Sequence, residues 1–125
     1  MLKFLIIDDS ITMRHALQTT LYQMGFKDIV HAANGKEALK KLVGINFIIS
    51  DLNMPEMNGI EFIKLVRTKP ELKSIPILMV TTEGSKDQVI ECIRAGANNF
   101  IVKPYDSDRL AEKINLMIKP LEPKS

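Results

Sequence analysis

The segment NFIISDLNMPEMNG at residues 46–59 joins a short apolar run to a loop rich in asparagine, proline and glycine. The run itself, residues 47–49, is too short for a helix. It consists of aromatic and β-branched side chains, so it predicts a buried strand. Ser50 and Asp51 follow directly. The pattern therefore predicts that Asp51 lies where this strand leaves the sheet.

Three other apolar runs also end in polar, chemically capable residues. The runs at residues 4–7, 77–80 and 100–102 are followed by Asp8 and Asp9, by Thr81 and Thr82, and by Lys103 and Pro104, respectively. In an open parallel α/β sheet, ligands bind outside the carboxyl ends of the strands. The strand ends of this chain therefore predict a functional site on that side of the sheet.

Strands and helices are predicted to alternate along the chain. Apolar runs predict strands at residues 3–7, 29–32, 75–80 and 100–102, and a further strand that leads to Asp51. Capping residues and helical spacing predict five helices: from the cap Ser10 to Gly25, from the cap Asn34 to Gly44, from near Gly59 to before Pro70, from the cap Ser85 to residues 95–97, and from Asp106 or Ser107 through Leu110, Ile114 and Met117.

This repeated βα pattern predicts one doubly wound α/β domain with a five-stranded sheet. Right-handed crossovers require the strands to be parallel and the helices to lie on both faces. The second strand is the least apolar, which suits a sheet edge. The strand order 2-1-3-4-5 places the first and third strands side by side. Asp8, Asp9 and Asp51 are then expected in one pocket.

The composition narrows the classes of function. The 125 residues carry a formal net charge of +2 without a basic cluster, so nucleic-acid binding is not expected. We find no signal-peptide pattern and no apolar run of the roughly 20 residues that cross a membrane, so membrane insertion is not expected either. Cys92 is the only cysteine, which fits a reducing compartment. A cytoplasmic location is therefore expected.

The predicted acidic pocket has a defined chemistry. At an effective dielectric constant near 20, two carboxylates about 4 Å apart repel each other by about 4 kcal/mol, so a proton or a cation must reduce the repulsion. Oxygen ligands in a partly open site suit Mg²⁺. Aspartate is also a nucleophile that forms aspartyl phosphates, a reaction that requires charge neutralisation and positioning. Asp9 and Asp51 are expected to hold the metal, with Lys103 as the cation and Thr81 as the hydroxyl donor.

Each of these residues also fits a simpler role when taken alone. The simpler roles are a helix cap for Asp8 or Asp9, an Asx turn for Asp51, a strand position for Thr81 and a solvated surface position for Lys103. Their joint occurrence at neighbouring strand ends favours the functional interpretation. His15 and His31 lie away from these ends and are interpreted as surface or packing residues.

The chain resembles response-regulator receiver domains, in particular those of single-domain chemotaxis regulators. The resemblance rests on DDS at residues 8–10, SDLNMPEMNG at 50–59, MVTTE at 79–83, AGANNF at 95–100 and VKPY at 102–105. It extends over about residues 3–118. It implies a single receiver domain, residues 1–125, with a short C-terminal tail.

The resemblance implies a phosphorylation switch. A histidine kinase would donate a phosphoryl group to Asp51. Mg²⁺ would be bound by Asp9, Asp51 and the backbone carbonyl of Asn53, with Asp8 acting through water. Lys103 would contact the phosphoryl group. Such a protein is not an enzyme beyond its own phosphorylation and dephosphorylation.

Further roles are implied by the same resemblance. Thr81 and Phe100 would form the switch, and Asn53 and Glu83 would tune dephosphorylation. The family's switch aromatic is often tyrosine, but here it is Phe100, and Tyr105 is not the equivalent position. The peptide bond between Lys103 and Pro104 is expected to be cis, because Lys103 must point back over the strand ends.

A downstream protein target, the flagellar motor switch or another effector, is expected to bind the face formed by the fourth helix, the fifth strand and the fifth helix. Its expected contact residues are Lys86, Val89, Ile93, Phe100, Tyr105 and Lys113. Val89 and Ile93 could instead pack inward.

The domain is expected to be a monomer. Two alternatives remain open: a binding module that does not use phosphorylation, and a fragment of a larger regulator. A flavin carrier is disfavoured because the acidic turn after the first strand would repel a flavin phosphate.

Overall fold

A computed structural model describes residues 2–82 and 84–119, in which strands and helices alternate. The strands are β1 (Lys3–Ile7), β2 (Asp28–Ala32), β3 (Phe47–Asp51), β4 (Ile77–Thr81) and β5 (Asn99–Val102). The helices are α1 (Ile11–Gln23), α2 (Gly35–Leu39), α3 (Gly59–Arg67), α4 (Lys86–Ala95) and α5 (Ser107–Ile118), and a short 3₁₀ turn spans Pro70–Leu72. Glu83 and the predicted C-terminal tail lie outside the described residues.

The strands form one parallel sheet in the order β2-β1-β3-β4-β5, which confirms the predicted α/β fold. The register aligns their carboxyl ends. Ile7 pairs with Ser50, and Asp51 pairs with Val80. Thr81 pairs with Val102. The residues that follow β1 and β5 therefore lie beside the ends of β3 and β4.

Apolar side chains cover both faces of the sheet. On one face, Leu5, Ile7 and Ile48 belong to a buried cluster with residues of α2, α3 and α4. On the other face, Phe47 and Ile49 belong to a second buried cluster with residues of α1 and α5. Every residue of β3 is buried, as expected for a central parallel strand. The sheet is thus covered on both sides, and its strand ends remain as the polar surface.

Each helix begins at a side chain that accepts a hydrogen bond from the third backbone N–H of the helix. These caps are Ser10, Asn34, Asn58, Ser85 and Asp106. Such caps satisfy an N–H group that the helix itself leaves free, and each contributes about 1 kcal/mol. Four of them directly follow loops that carry predicted site residues, and Asn34 follows β2, so the capping also fixes where those loops end.

Several predicted boundaries were wrong. Helix α2 was expected to reach Gly44 but ends at Leu39, although Leu42 is still buried. Strand β4 begins at Ile77 and not at residue 75, because Pro76 lacks an N–H for the sheet. In α5, the predicted apolar position Met117 is partly buried and packs against a buried cluster, and Ile118 beside it is buried. Within the described residues, no helix has both the length and the hydropathy of a membrane span.

Candidate functional site

Three carboxylates meet at the carboxyl ends of β1 and β3. Oxygen atoms of Asp8, Asp9 and Asp51 all lie within 4.8 Å of one another. Asp8 and Asp51 are buried, with exposed fractions of 2% and 8%, while Asp9 is exposed. The predicted cluster is therefore present, and its geometry follows from the adjacency of β1 and β3.

Asp8 is held in place by contacts on both its backbone and its side chain. Its N–H donates to the Ala32 carbonyl at 3.2 Å and extends the ladder between β1 and β2. Its Oδ1 atom accepts from the Ser10 N–H at 2.9 Å. Its backbone carbonyl accepts from Nη1 of Arg14. The turn after β1 is thus fixed by contacts with Ala32 of β2, with the helix cap Ser10 and with Arg14 of α1, and Asp9 follows in that same turn.

Lys103 supplies the cation that the sequence predicted. Its Nζ atom lies 3.4 Å from Oδ2 of Asp8 and 3.7 Å from Oδ2 of Asp51. The Lys103–Pro104 peptide bond is cis, as predicted. The Lys103 N–H donates to the Thr81 carbonyl at 2.7 Å, which fixes the end of β5 against β4. One lysine therefore bridges two of the three clustered carboxylates.

The environment of Asp51 makes its ionisation less favourable than in water. Burial raises the pKa of the Asp51 carboxyl above its ordinary value, the Lys103 charge opposes this shift, and the Asp8 charge adds to it. A single lysine therefore does not fully compensate the clustered acids. An added cation would remove this imbalance, because it favours the ionised carboxylates.

The loop after β3 approaches the backbone of the strand closely. A Cβ atom at Gly59 would lie 2.5 Å from Cε of Met79 and 2.7 Å from the Asp51 carbonyl oxygen, so only glycine fits. The Gly59 N–H donates to the Leu52 carbonyl at 2.8 Å. This tight return leaves Asn53 exposed beside the acidic cluster.

These donor groups fit a hard divalent cation. The carboxylate oxygens of Asp8, Asp9 and Asp51 and the exposed side at Asp9 match the oxygen ligands and retained waters that Mg²⁺ requires. These three residues could therefore hold the metal, and the Asn53 carbonyl stays a predicted further ligand. Glu83, which was expected to tune dephosphorylation, lies outside the described residues.

Thr81 ends β4 next to this cluster and is 2% exposed. Its Oγ1 atom lies 3.5 Å from Oε1 of Gln88, a long contact that connects the end of β4 to α4. Gln88 was not singled out from the sequence. A glutamine on a helix surface carries no pattern that would mark it as a neighbour of Thr81.

Phe100 is half-buried on β5 and packs against the cluster on the α4 face. Lys113 of α5 donates to the Phe100 carbonyl at 2.6 Å, and its Nζ atom lies 5.0 Å from the centre of the ring. Two expected members of the partner face, Phe100 and Lys113, are therefore in direct contact.

The apolar surface of α4 differs in detail from the expectation. Ile93 is 45% exposed and Ile90 is 38% exposed, while Val89 is half-buried. The alternative in which Ile93 packs inward is wrong. The exposed apolar pair is Ile90 and Ile93, and Lys86 is exposed at the beginning of the same helix.

Tyr105 lies in a different place from the α4 surface. It packs with the cluster beneath α1 and α5 and lines a cleft of about 790 Å³ together with Met13 and Ala16 of α1, Thr82 and Lys103. Burial and, to a lesser degree, the charges of Asp8 and Asp51 raise the pKa of Tyr105 to about 12. Its ring therefore belongs to the surroundings of the acidic cluster.

The chain is similar in sequence and fold to known regulators. The sequence model of the family described as the response regulator receiver domain matches residues 4–115 of this chain. The chain is 44% identical to chemotaxis protein CheY1 of Helicobacter pylori over 120 residues, 94% of this chain and 97% of that protein. It is 46% identical to the chemotaxis protein CheY homolog of Campylobacter jejuni over 116 residues, 90% of this chain and 89% of that protein.

Solved structures agree with the sequence relatives. Chemotaxis response regulator CheY4 of Vibrio cholerae superposes with a TM-score of 0.88 at 40% identity, covering 94% of this chain and 98% of that one. The matched length, the identity and the shared geometry all point to one family. The chain belongs to the response regulator receiver domains.

Proposed function

We propose that this protein is a phosphorylation-activated switch of a two-component system in chemotaxis or motility, and that Asp51 accepts the phosphoryl group. The observation that carries the proposal is the group of three carboxylates within 4.8 Å, together with a lysine 3.7 Å from Asp51. A binding scaffold has no need of carboxylates that repel one another. Phosphoryl transfer does need a carboxylate nucleophile with compensating cations.

In the proposed transfer, an Asp51 carboxylate oxygen attacks the phosphorus of a phosphohistidine on a histidine kinase. A P–O bond forms, the P–N bond breaks, and the imidazole leaves and takes up a proton. Mg²⁺, held by Asp9, Asp51 and the Asn53 carbonyl with Asp8 acting through water, would neutralise phosphoryl charge. Lys103 Nζ, already 3.7 Å from Asp51, is placed to contact the transferred group.

The acyl phosphate is removed by water. Attack of water on phosphorus releases inorganic phosphate and restores the Asp51 carboxylate. We propose that Asn53 and Glu83 set the rate of this step, which makes the protein a timed switch and not an enzyme that acts on other substrates. Asn53 is exposed next to the cluster, where it can contact the attacking water.

We propose that Thr81 and Phe100 carry the signal. The phosphoryl group favours the state in which the Thr81 hydroxyl donates to it, and a ligand shifts an equilibrium only through such differential contacts. Movement of Thr81 changes its contact with Gln88 of α4 and the space next to Phe100. The switch thereby connects the acidic cluster to the α4 surface.

The proposed output surface includes exposed Ile90 and Ile93, Lys86 and Lys113, with Phe100 between the helices. An apolar patch with lysines at its rim suits an acidic amphipathic segment of an effector such as the flagellar motor switch.

The cytoplasm is the compartment expected for such a pathway. A single domain, residues 1–125, acting as a monomer is sufficient for this role.

Mass spectrometry tests the proposal. Treatment with a small phosphodonor and Mg²⁺ is expected to add the mass of one phosphoryl group to the unchanged protein. The Asp51→Asn variant is expected to gain no mass. Asp28→Asn is the matched control, because Asp28 is an exposed acid at the beginning of β2. A full adduct on Asp51→Asn would assign the acceptor elsewhere. No adduct on the unchanged protein would favour a binding module that does not use phosphorylation.

Thr81→Ala separates transfer from signalling. We expect Asp51 to be phosphorylated in this variant, while the phosphorylation-dependent changes in the amide signals of α4 shrink. Retention of those changes in full would show that the coupling bypasses Thr81.

A further inference from the structure

Arg14 holds the turn that carries two of the three clustered acids. Its Nη1 atom donates to the backbone carbonyl of Asp8. That carbonyl belongs to the peptide group between Asp8 and Asp9. Fixing the carbonyl fixes the plane of this peptide and the position of the Asp9 Cα atom, which restricts the directions that the Asp9 side chain can take.

The position of Arg14 has evident costs. It is the fourth residue of α1, close to the positive end of the helix dipole, where a cation is unfavourable. No acidic residue lies in the first turn of α1 to offset it. Its Nε atom is buried and has no hydrogen-bond partner within residues 2–82 and 84–119. A residue that breaks local rules in this way is expected to have a compensating role.

The remaining contacts of the turn show what Arg14 adds. The Asp8 carboxylate is held by the Ser10 N–H at 2.9 Å and by Lys103 at 3.4 Å. These contacts fix Asp8. Asp9, by contrast, is exposed. Its orientation therefore depends on the peptide group before it, which Arg14 holds.

We propose that Arg14 is a positioning residue for the cation site: by binding the Asp8 carbonyl, it orients Asp9 toward Asp51. The inference rests on the proposed Mg²⁺ site. Residues that orient metal ligands change metal affinity by about 10–100-fold when they are removed. Arg14 is one such residue, although it carries the same sign of charge as the metal.

The sign of the effect distinguishes positioning from simple electrostatics. Removing a cation near a metal site tightens binding if only charge matters. Removing a residue that orients a ligand weakens binding. Arg14→Met keeps the apolar stem but removes the guanidinium, so we expect its Mg²⁺ dissociation constant to rise about 10-fold. The measurement is a Mg²⁺ titration followed through the backbone amide signals of Asp9 and Asn53.

Lys36→Met is the matched control. Lys36 is an exposed cation that forms an ion pair with Glu56 of the β3–α3 loop at 3.4 Å. Its removal also deletes one positive charge on this side of the molecule, and we expect Mg²⁺ binding that is no weaker than in the unchanged protein. Binding by Arg14→Met that is equally tight or tighter than in the unchanged protein would overturn the proposal.

A second readout needs no metal. In metal-free protein, Arg14→Met should speed the hydrogen exchange of the Ser10 N–H, which donates to Asp8 in the same turn. Exchange at Leu110 in α5 should stay unchanged. Unaltered exchange at Ser10 would contradict the proposal. If Mg²⁺ fails to bind the unchanged protein, the proposed function fails, and this exchange measurement still judges the role of Arg14.

Arg14→Lys covers the case in which Arg14→Met does not fold. Lysine keeps the charge but is shorter and lacks the planar fork of the guanidinium. We expect weaker Mg²⁺ binding and faster Ser10 exchange, both smaller in extent than for Arg14→Met. A dissociation constant and an exchange rate equal to those of the unchanged protein would overturn the proposal.

Discussion

The two ends of the sheet differ in how completely their charged side chains are paired. At the amino end, the half-buried Arg67 guanidinium donates to the Gly96 carbonyl at 2.7 Å, to the Leu72 carbonyl at 2.8 Å and to the Asn98 side chain at 2.9 Å. At the carboxyl end, the three carboxylates have one ion-pair partner within the described residues, Lys103, which lies near two of them. The first arrangement provides each donor with an acceptor, whereas the second leaves the carboxylates in excess of the cation that pairs with them.

This difference sets the end of the sheet at which we propose the function apart from the other end. Arg67 connects the end of α3 to the residues that begin β4 and β5, because Asn98 also accepts from the Ile77 N–H at 2.8 Å. Its contacts lie within the chain and stabilise the fold. The acids leave a deficit of positive charge that a bound divalent cation can correct. The carboxyl end is therefore the end at which we propose the reaction.

The largest expected effect concerns the amino end. Arg67→Met keeps the stem that packs against Gly96 but removes the guanidinium donors. The carbonyls that lose their donors are partly buried, so we expect a loss of about 3 kcal/mol in the free energy of unfolding, measured by urea denaturation. Asp51 phosphorylation in the folded protein should be unchanged. Arg94→Met, at an exposed arginine of α4, is the control and should change stability little.

The second effect concerns metal binding at the carboxyl end. Asp9→Ala removes an exposed carboxylate ligand, so we expect the Mg²⁺ dissociation constant to rise more than about 10-fold, which corresponds to at least about 1.4 kcal/mol. Calorimetry or amide signals can measure it. The exposed Asp87→Ala is a matched control. Equal Mg²⁺ affinity for Asp9→Ala and the unchanged protein would show that the metal binds elsewhere.

The third effect is a gain in stability. Asp51→Asn removes a charge that burial disfavours, so we expect about 0.5–2 kcal/mol of added stability at neutral pH. Because the pKa of Asp51 is raised in the folded state, the ionised carboxylate destabilises the fold increasingly as pH rises above 3.8, the ordinary value. The gain should therefore disappear as pH falls toward that value. Urea denaturation across this range measures it; a gain independent of pH would contradict the assigned cause.

The smallest effect is on Tyr105. The charge of Asp51 contributes to its raised pKa of about 12, after burial and Asp8. Asp51→Asn should therefore lower the pKa of Tyr105, while burial keeps it above the ordinary 10.0. A rapid alkaline titration of tyrosinate absorbance, in a Tyr22→Phe background, isolates this ring. An unchanged pKa would mean that Tyr105 does not sense the acidic cluster.

The sequence by itself determined the fold and the acidic cluster. Alternating apolar runs and capping residues predict parallel strands, and the strand order then brings Asp8, Asp9 and Asp51 together. These inferences succeed because each depends on local spacing and on a small set of allowed topologies. The early end of α2 was missed because Leu42 is buried without being helical, and periodicity reports burial more directly than backbone conformation.

Only the tertiary structure decided which polar residues serve the cluster from other elements. Arg14 reaches the Asp8 carbonyl, Gln88 comes near Thr81, and Tyr105 lines the cleft beside α1. A sequence pattern specifies which face of a helix is apolar. It does not specify where a long polar side chain ends, because that depends on the distance and angle between packed elements. The acidic cluster could thus be predicted from the sequence, whereas the polar residues that reach it from other elements could not.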